Sequence, residues 1–218
     1  MSVVPRHHVP SELLMAYGAG TLGEALALWV ATHLALCPIC REQVAEVEAV
    51  GGAMLGSTVP MPVAEGSLAS LLGRLKDEDR EVAPKPSASA TPPVIPEPLR
   101  SYSGAFTDLV WNRQAPGIHT CAIGVSHHDM PVRLFSLKPG MVVPAHRHRG
   151  QERGLVLTGG FSDDEGHFER GDVSVRGPDF DHEATIDPGE PCVVLFVNDG
   201  LLKPRTWLGR LGSLSVKI

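Results

Sequence analysis

The chain has 218 residues, enough for one large domain or two small ones at roughly 100 to 200 residues per domain. Hydrophobic residues at 43% and charged residues at 20% lie near globular averages and exclude a wholly disordered chain. The formal charge of −6 is uneven: residues 1–82 carry 5 Lys and Arg against 10 Asp and Glu, a net −5 that argues against direct nucleic-acid binding and favours a basic protein partner.

In chain order, helix signals come first. Ser11 is placed to cap a short helix over Leu13, Leu14 and Tyr17 that stops at Gly18 and Gly20, and Thr21 with Glu24 forms a capping box for a second. In that second helix Leu22, Leu26, Trp29, His33 and Leu36/Cys37 recur at steps of three and four, which puts His33 and Cys37 on one face, one turn apart. The apolar stretch 25–36 is broken by Thr32 and His33, lacks the flanks of a signal peptide and is shorter than the roughly 20 residues of a membrane span, so a cytoplasmic chain without membrane contact is expected. Pro38 suits the first turn of a third helix running to Gly51-Gly52. After the Pro60-Met61-Pro62 break, a fourth helix from Ser67 to about Glu81 carries Leu68, Leu71, Leu72 and Leu75 at i, i+3, i+4 and i+7. Such a stripe must find a surface, either the first three helices or another protein.

Residues 83–98 hold six prolines in sixteen positions, with Val94 and Ile95 as the only large apolar residues, and read as a solvated, partly extended linker. Beyond it, short β-type runs at 132–137, 154–157, 172–175 and 191–197 are punctuated by Gly, Pro and Asp, with no helix signals. The expected architecture is multidomain α + β: a helical bundle of about four helices over 1–82, the linker 83–98, and an antiparallel β sandwich or barrel over 99–218.

Four cysteines are too few for a disulfide scaffold, so the Cys37-x-x-Cys40 pair suggests metal or redox chemistry. His33-x3-Cys37-x2-Cys40 supplies three zinc-compatible ligands within eight residues, and Cys40 falls in a helix first turn, where free backbone amides favour the metal-binding thiolate. His8 or its neighbour His7 can complete a closed, formally neutral tetrahedral Zn²⁺ site. The competing redox reading expects a strand before the first cysteine, and none is indicated.

A second constellation reads Gly140-x5-His146-x-His148-x3-Glu152-x6-Gly159. Residues two apart on a strand share a face, so His146 and His148 can reach one metal, with Glu152 returning after a turn and His182 arriving on a later strand. Three imidazoles and a carboxylate suit a divalent cation (Zn²⁺, with Fe, Mn or Ni as alternatives), with positions left for water or a ligand. His119, His127, His128 and His167 have no such spacing and read as surface or structural residues. Cys192, in an apolar run, reads as a core thiol whose oxidation would be disruptive, which makes it a candidate redox position; nothing reactive stands near Cys121.

The second frame resembles the cupin family: Gly140, His146, His148, Glu152 and Gly159 match its first motif completely. The second motif matches loosely through Gly171, Pro178 and His182, without its second glycine and with Ile186 where Asn is usual. The first frame resembles the zinc anti-sigma domain. Together with the proline-rich join, the Arg6-His7-His8-Val9 start, the ATHLALC run and the EGSLAS stretch, the whole chain resembles ChrR-type anti-sigma factors. The resemblance carries the fourth zinc ligand onto His8 through the spacing His8-x24-His33. It implies a transcriptional regulator, not an enzyme, that holds an extracytoplasmic-function (ECF) sigma factor inactive and releases it under singlet oxygen or organic peroxide stress, with the cupin domain needed for the response. The acidic first domain and the Leu68, Leu71, Leu72 and Leu75 stripe suit a basic, apolar sigma surface. The rivals are a cupin dioxygenase or isomerase with an accessory zinc domain, and a redox-responsive DNA-binding protein.

Overall fold

The computed structural model describes residues 4–77, 94–126, 130–148, 150–178, 181–199 and 202–204; the side chains at 76, 77, 147, 148 and 202–204 lie outside that description. His127, His128, residues 78–82 at the end of the expected fourth helix, and most of the expected linker, 83–93, fall outside it as well.

Helix α1 (Ser11–Gly18) buries Leu14 and ends before Gly20, whose φ of +68° is the left-handed conformation glycine adopts without strain. Its N-cap is Pro10 and no side chain caps it, so Ser11 opens the helix without capping it. The expected capping box before α2 (Glu24–Leu34) does not form either: Gly23 is the N-cap, and Thr21 Oγ1 donates to the Ala16 carbonyl at 3.1 Å. Glu24 is drawn away by long-range donors, accepting from Ser126 N (2.6 Å), Ser126 Oγ (3.3 Å) and Tyr102 Oη (3.0 Å). Cys37 lies beyond α2, although its amide donates to the His33 carbonyl at 2.9 Å and so keeps the one-turn spacing. Helix α3 (Pro38–Gly56) runs past the predicted stop because neither Gly51 nor Gly52 takes a left-handed φ. Helix α4 spans Ser67–Asp77.

A fifth helix, α5 (Glu97–Ser103), corrects two expectations: that 83–98 is solvated throughout, and that helix signals end there. Pro96 is its N-cap and Pro98 sits in its first turn, where proline lacks no needed hydrogen bond. Ile95 and Leu99, one turn apart, are 1% and 0% exposed and pack in the same core as α2.

The remaining chain is antiparallel β. Strands β1 (Asn112–Ala115), β2 (Ile118–Ile123), β3 (Val132–Leu137), β5 (Glu152–Thr158), β8 (Val173–Arg176) and β10 (Cys192–Asn198) form a six-stranded sheet ordered β1-β2-β3-β10-β5-β8. Strands β4 (Val142–His148), β6 (Gly160–Asp163), β7 (Gly166–Glu169), β9 (Asp181–Ile186) and β11 (Leu202–Pro204) form a second, ordered β11-β4-β9-β6-β7. Between the sheets lies one core, with Val156, Phe161, Phe168, Ile186, Cys192 and Val194. Alternate residues of β5 and β10 point the other way: Leu155, Leu157, Leu195 and Val197 join a larger core with Leu28, Trp29, Val30 and Leu99 from α2 and α5. The larger sheet is thus buried on both faces, and helix α2 is part of its covering.

Contacts divide the chain into two compact units, Met1–Glu48 with Val94–Ile218, and Ala49–Pro93. The first therefore unites the His33/Cys37 region with the barrel, where sequence composition suggested a boundary at 82. In the second, Val50, Met54, Leu55, Val59, Met61 and Val63 are exposed, as are Leu68 (67%), Leu71 (50%), Leu72 (47%) and Leu75 (59%). No helix among the described residues is long and apolar enough to cross a membrane.

Candidate metal centres

His33 near the end of α2, Cys37 in the following turn, Cys40 in the first turn of α3 and His8 on the arm before α1 converge, with one donor atom from each lying within 4.8 Å of the others. His33, Cys37 and Cys40 are fully buried. His33 Nε2 stands 3.2 Å from Cys40 Sγ, and His8 Nδ1 stands 3.4 Å from Cys37 Sγ and 3.6 Å from Cys40 Sγ. The two His8 separations lie near the N···S tetrahedron edge of about 3.6 Å that Zn–N near 2.1 Å and Zn–S near 2.3 Å generate, and the His33–Cys40 separation is somewhat shorter. The donor set fits Zn²⁺. His7 turns elsewhere, stacking on Phe168 with ring centroids 4.2 Å apart, so His8 is the member of the cluster.

The electrostatics suit a metal more than free ionised groups. Burial pushes the His33 pKa down to about 4, against the hydrogen bond to the Gly171 carbonyl, so the imidazole is neutral and able to coordinate. Burial and the adjacent Cys37 sulfur push the Cys40 thiol well above the ordinary range, with the Val9 amide opposing. A cation must therefore displace the Cys40 proton. Apparent zinc affinity is expected to rise about tenfold per pH unit for that proton between roughly pH 6 and 9. Chelator competition across that range checks it; a flat profile would show that Cys40 sulfur is not a ligand.

In the barrel, the β4–β9 register sets His146 opposite His182, with ring centroids 4.4 Å apart. His146 Nδ1 lies 3.0 Å from the Pro144 carbonyl; that oxygen can only accept, so the proton sits on Nδ1 and the ring's lone pair is on Nε2. Burial lowers the His146 pKa, and His182 lowers it further. Glu152 opens β5, is 6% exposed, and has its carboxyl pushed up to about 8 by burial, against the opposing pull of Arg176. The His148 side chain lies outside the described residues. Imidazoles facing a buried carboxyl fit a divalent cation, which would supply the charge that ionises Glu152.

Sequence reading missed Asp163 and Arg176. Asp163 Oδ2 accepts from Arg176 Nη2 at 2.6 Å and stands 3.4 Å from His182 Nδ1. Although burial alone would raise it, His182 and Arg176 hold the Asp163 carboxyl at about 2. In sequence Asp163 looks like one of several turn acids, and only its partners reveal it. His167 pairs with Asp187 at 2.7 Å, a structural role. Cys192 is fully buried, and burial with Asp187 and Glu190 pushes its thiol up to about 12, the surroundings of an inert core thiol rather than a reactive thiolate.

Residues 101–203 match the ChrR cupin-like domain, and residues 11–41 a putative zinc-finger family. The latter match and the four-donor cluster agree on Zn²⁺ for the N-terminal region. The anti-sigma-E factor ChrR of Cereibacter sphaeroides is 38% identical over 207 residues, covering 94% of this chain and 95% of that protein. The crystal structure of Rhodobacter sphaeroides SigE in complex with the anti-sigma ChrR aligns with a TM-score of 0.76 at 36% identity, covering 90% of this chain and all of that one. At that identity and coverage the chain belongs to the ChrR-type family of zinc-binding anti-sigma factors, which are regulators and not enzymes, and the dioxygenase or isomerase alternative falls away.

Proposed function

We propose that this protein acts in the cytoplasm by holding an ECF sigma factor inactive through residues 1–82, and that it releases that factor on oxidative stress, by singlet oxygen or organic peroxide, sensed through residues 99–218. The observation that carries the reading is the likeness, over 90% of the chain, to a protein whose crystal structure is of its complex with SigE. Zn²⁺ is held by His8, His33, Cys37 and Cys40; a second divalent cation is held by His146, His148, Glu152 and His182. The closed four-donor site leaves no position for an added ligand, whereas a His3Glu site does, which favours the barrel as the sensor. The exposed Leu68, Leu71, Leu72 and Leu75 stripe, within an acidic segment, supports that helix as part of the sigma-binding surface.

Because α2 packs on the barrel, the two roles are best separated by point substitution in the full chain, not by truncation. His146→Ala is expected to keep basal repression of the cognate sigma factor while blunting release, since coupling of about 1 to 3 kcal/mol corresponds to a roughly 5- to 150-fold change in sigma affinity. Pull-down of candidate sigma factors with reporter transcription, with and without singlet oxygen, measures both arms. Normal release by His146→Ala would take sensing away from the barrel metal, and failure of the wild-type chain to retain any sigma factor would end the reading.

A further inference from the structure

The N-terminal cluster does not stand alone in the fold. Its ligand His8 sits on an arm, residues 5–9, outside any helix or strand, so something else must hold that backbone in place. The Arg6 and His7 amides both donate to Asp172 Oδ1, at 2.6 and 2.9 Å, and the His7 carbonyl accepts from the Val173 amide at 3.1 Å. Asp172 is 2% exposed, and its other oxygen accepts from the Glu169 amide at 2.9 Å, which fixes the carboxylate's orientation. Short bonds from amides to a carboxylate are the charge-assisted kind, stronger than neutral ones.

The same loop reaches a second ligand. His33 Nδ1 lies 2.9 Å from the Gly171 carbonyl, 138 residues away in sequence. A carbonyl only accepts, so the proton is on Nδ1 and the Nε2 lone pair faces Cys40, the tautomer that coordination needs. Gly171 has φ of +94°, and a Cβ there would stand 2.6 Å from Pro5 Cγ and 3.5 Å from Leu36 Cβ. Only glycine lets this backbone touch both the His8 arm and the turn before Cys37.

We propose that residues 169–173 of the barrel form the outer coordination shell of the N-terminal metal centre, with Asp172 and the Gly171 carbonyl as positioning groups for His8 and His33. This rests on the reading that His8, His33, Cys37 and Cys40 hold the metal. The consequence is that zinc affinity in the anti-sigma region depends on the barrel. The loop leads directly into β8, whose last residue, Arg176, pairs with Asp163 beside His182, so a rearrangement at the barrel site has a short route to the His8 arm and His33 along one strand and its hydrogen bonds.

The test uses the full chain loaded with Co²⁺, whose thiolate charge-transfer band reports the Cys37/Cys40 site and not the cysteine-free barrel site. In chelator competition, Asp172→Ala is expected to weaken Co²⁺ at that site about 10- to 100-fold, and Asp172→Asn, which keeps an acceptor oxygen, by less. His7→Ala, which removes the Phe168 stack but leaves the backbone bonds to Asp172 and Val173, is the control and should leave affinity unchanged. Equal affinity in wild type and both Asp172 variants would overturn the proposal, as would equal weakening by His7→Ala, since that is what interface loosening alone produces. In zinc-loaded wild type, His33 should also show an Nδ1 proton protected from solvent exchange, a measurement that needs no variant to fold; a rapidly exchanging proton there counts against it. Loss of the ligand reading has a separate signature, survival of the band in the Cys37→Ser/Cys40→Ser double variant.

Discussion

Replacing Cys37 and Cys40 together with serine is expected to abolish zinc binding in the N-terminal region and to remove metal-linked folding free energy of the order of 10 kcal/mol. Without a metal, the buried Cys37, Cys40 and His33 side chains and His8 on its arm would have no common partner. The damage should not stay local. Trp29, Leu28 and Val30 share a core with Leu155, Leu195 and Leu99, so loosening α2 uncovers a face of the larger sheet. Burying a large aliphatic or aromatic side chain is worth about 1.5 to 3 kcal/mol, and several are at stake. Calorimetry should therefore show the barrel's transition falling together with the helical signal when zinc is stripped. An unchanged barrel transition would mean that the two regions unfold independently, and a double variant retaining stoichiometric zinc in this region would show that the ligand assignment is wrong.

Replacing Leu71 and Leu72 with Asp is expected to weaken sigma binding by several kcal/mol while leaving the protein folded and zinc-loaded. The separation of effects follows from burial: both side chains are about half exposed, so charge there costs the free protein little, whereas at a closed apolar contact it would be left unpaired. Titration calorimetry against the cognate sigma factor and a transcription assay read the effect. A double variant that folds, holds zinc and represses normally would take this helix out of the interface.

Much of the candidate chemistry was legible in the sequence because it is local. His33-x3-Cys37-x2-Cys40 spans two helical turns, and the His146, His148 and Glu152 spacing follows from strand alternation and a tight return; both are matters of backbone period. The leucine stripe of α4 was legible for the same reason. Local rules failed where a distant group competed for the same side chain or backbone. Glu24 belonged to a capping box until Ser126 and Tyr102 donated to it, and residues 94–98 looked like linker until Ile95 and Leu99 found α2.

The sequence by itself determined the His33, Cys37 and Cys40 spacing, four helices followed by a β-rich region, and the acidic character of residues 1–82, since each depends on residues close together in the chain or on composition alone. Only the tertiary structure decided that residues 1–48 pack with the barrel as one unit, that Asp172 and Gly171 stand against the His8 arm and His33, and that Asp163 joins Arg176 to His182. These are pairings between single residues more than a hundred positions apart, or across sheet registers, and such a pairing leaves no periodic trace. The apolar run 193–197 hinted at it, for a strand with no polar face must be covered on both sides, but it could not say that α2 was the cover.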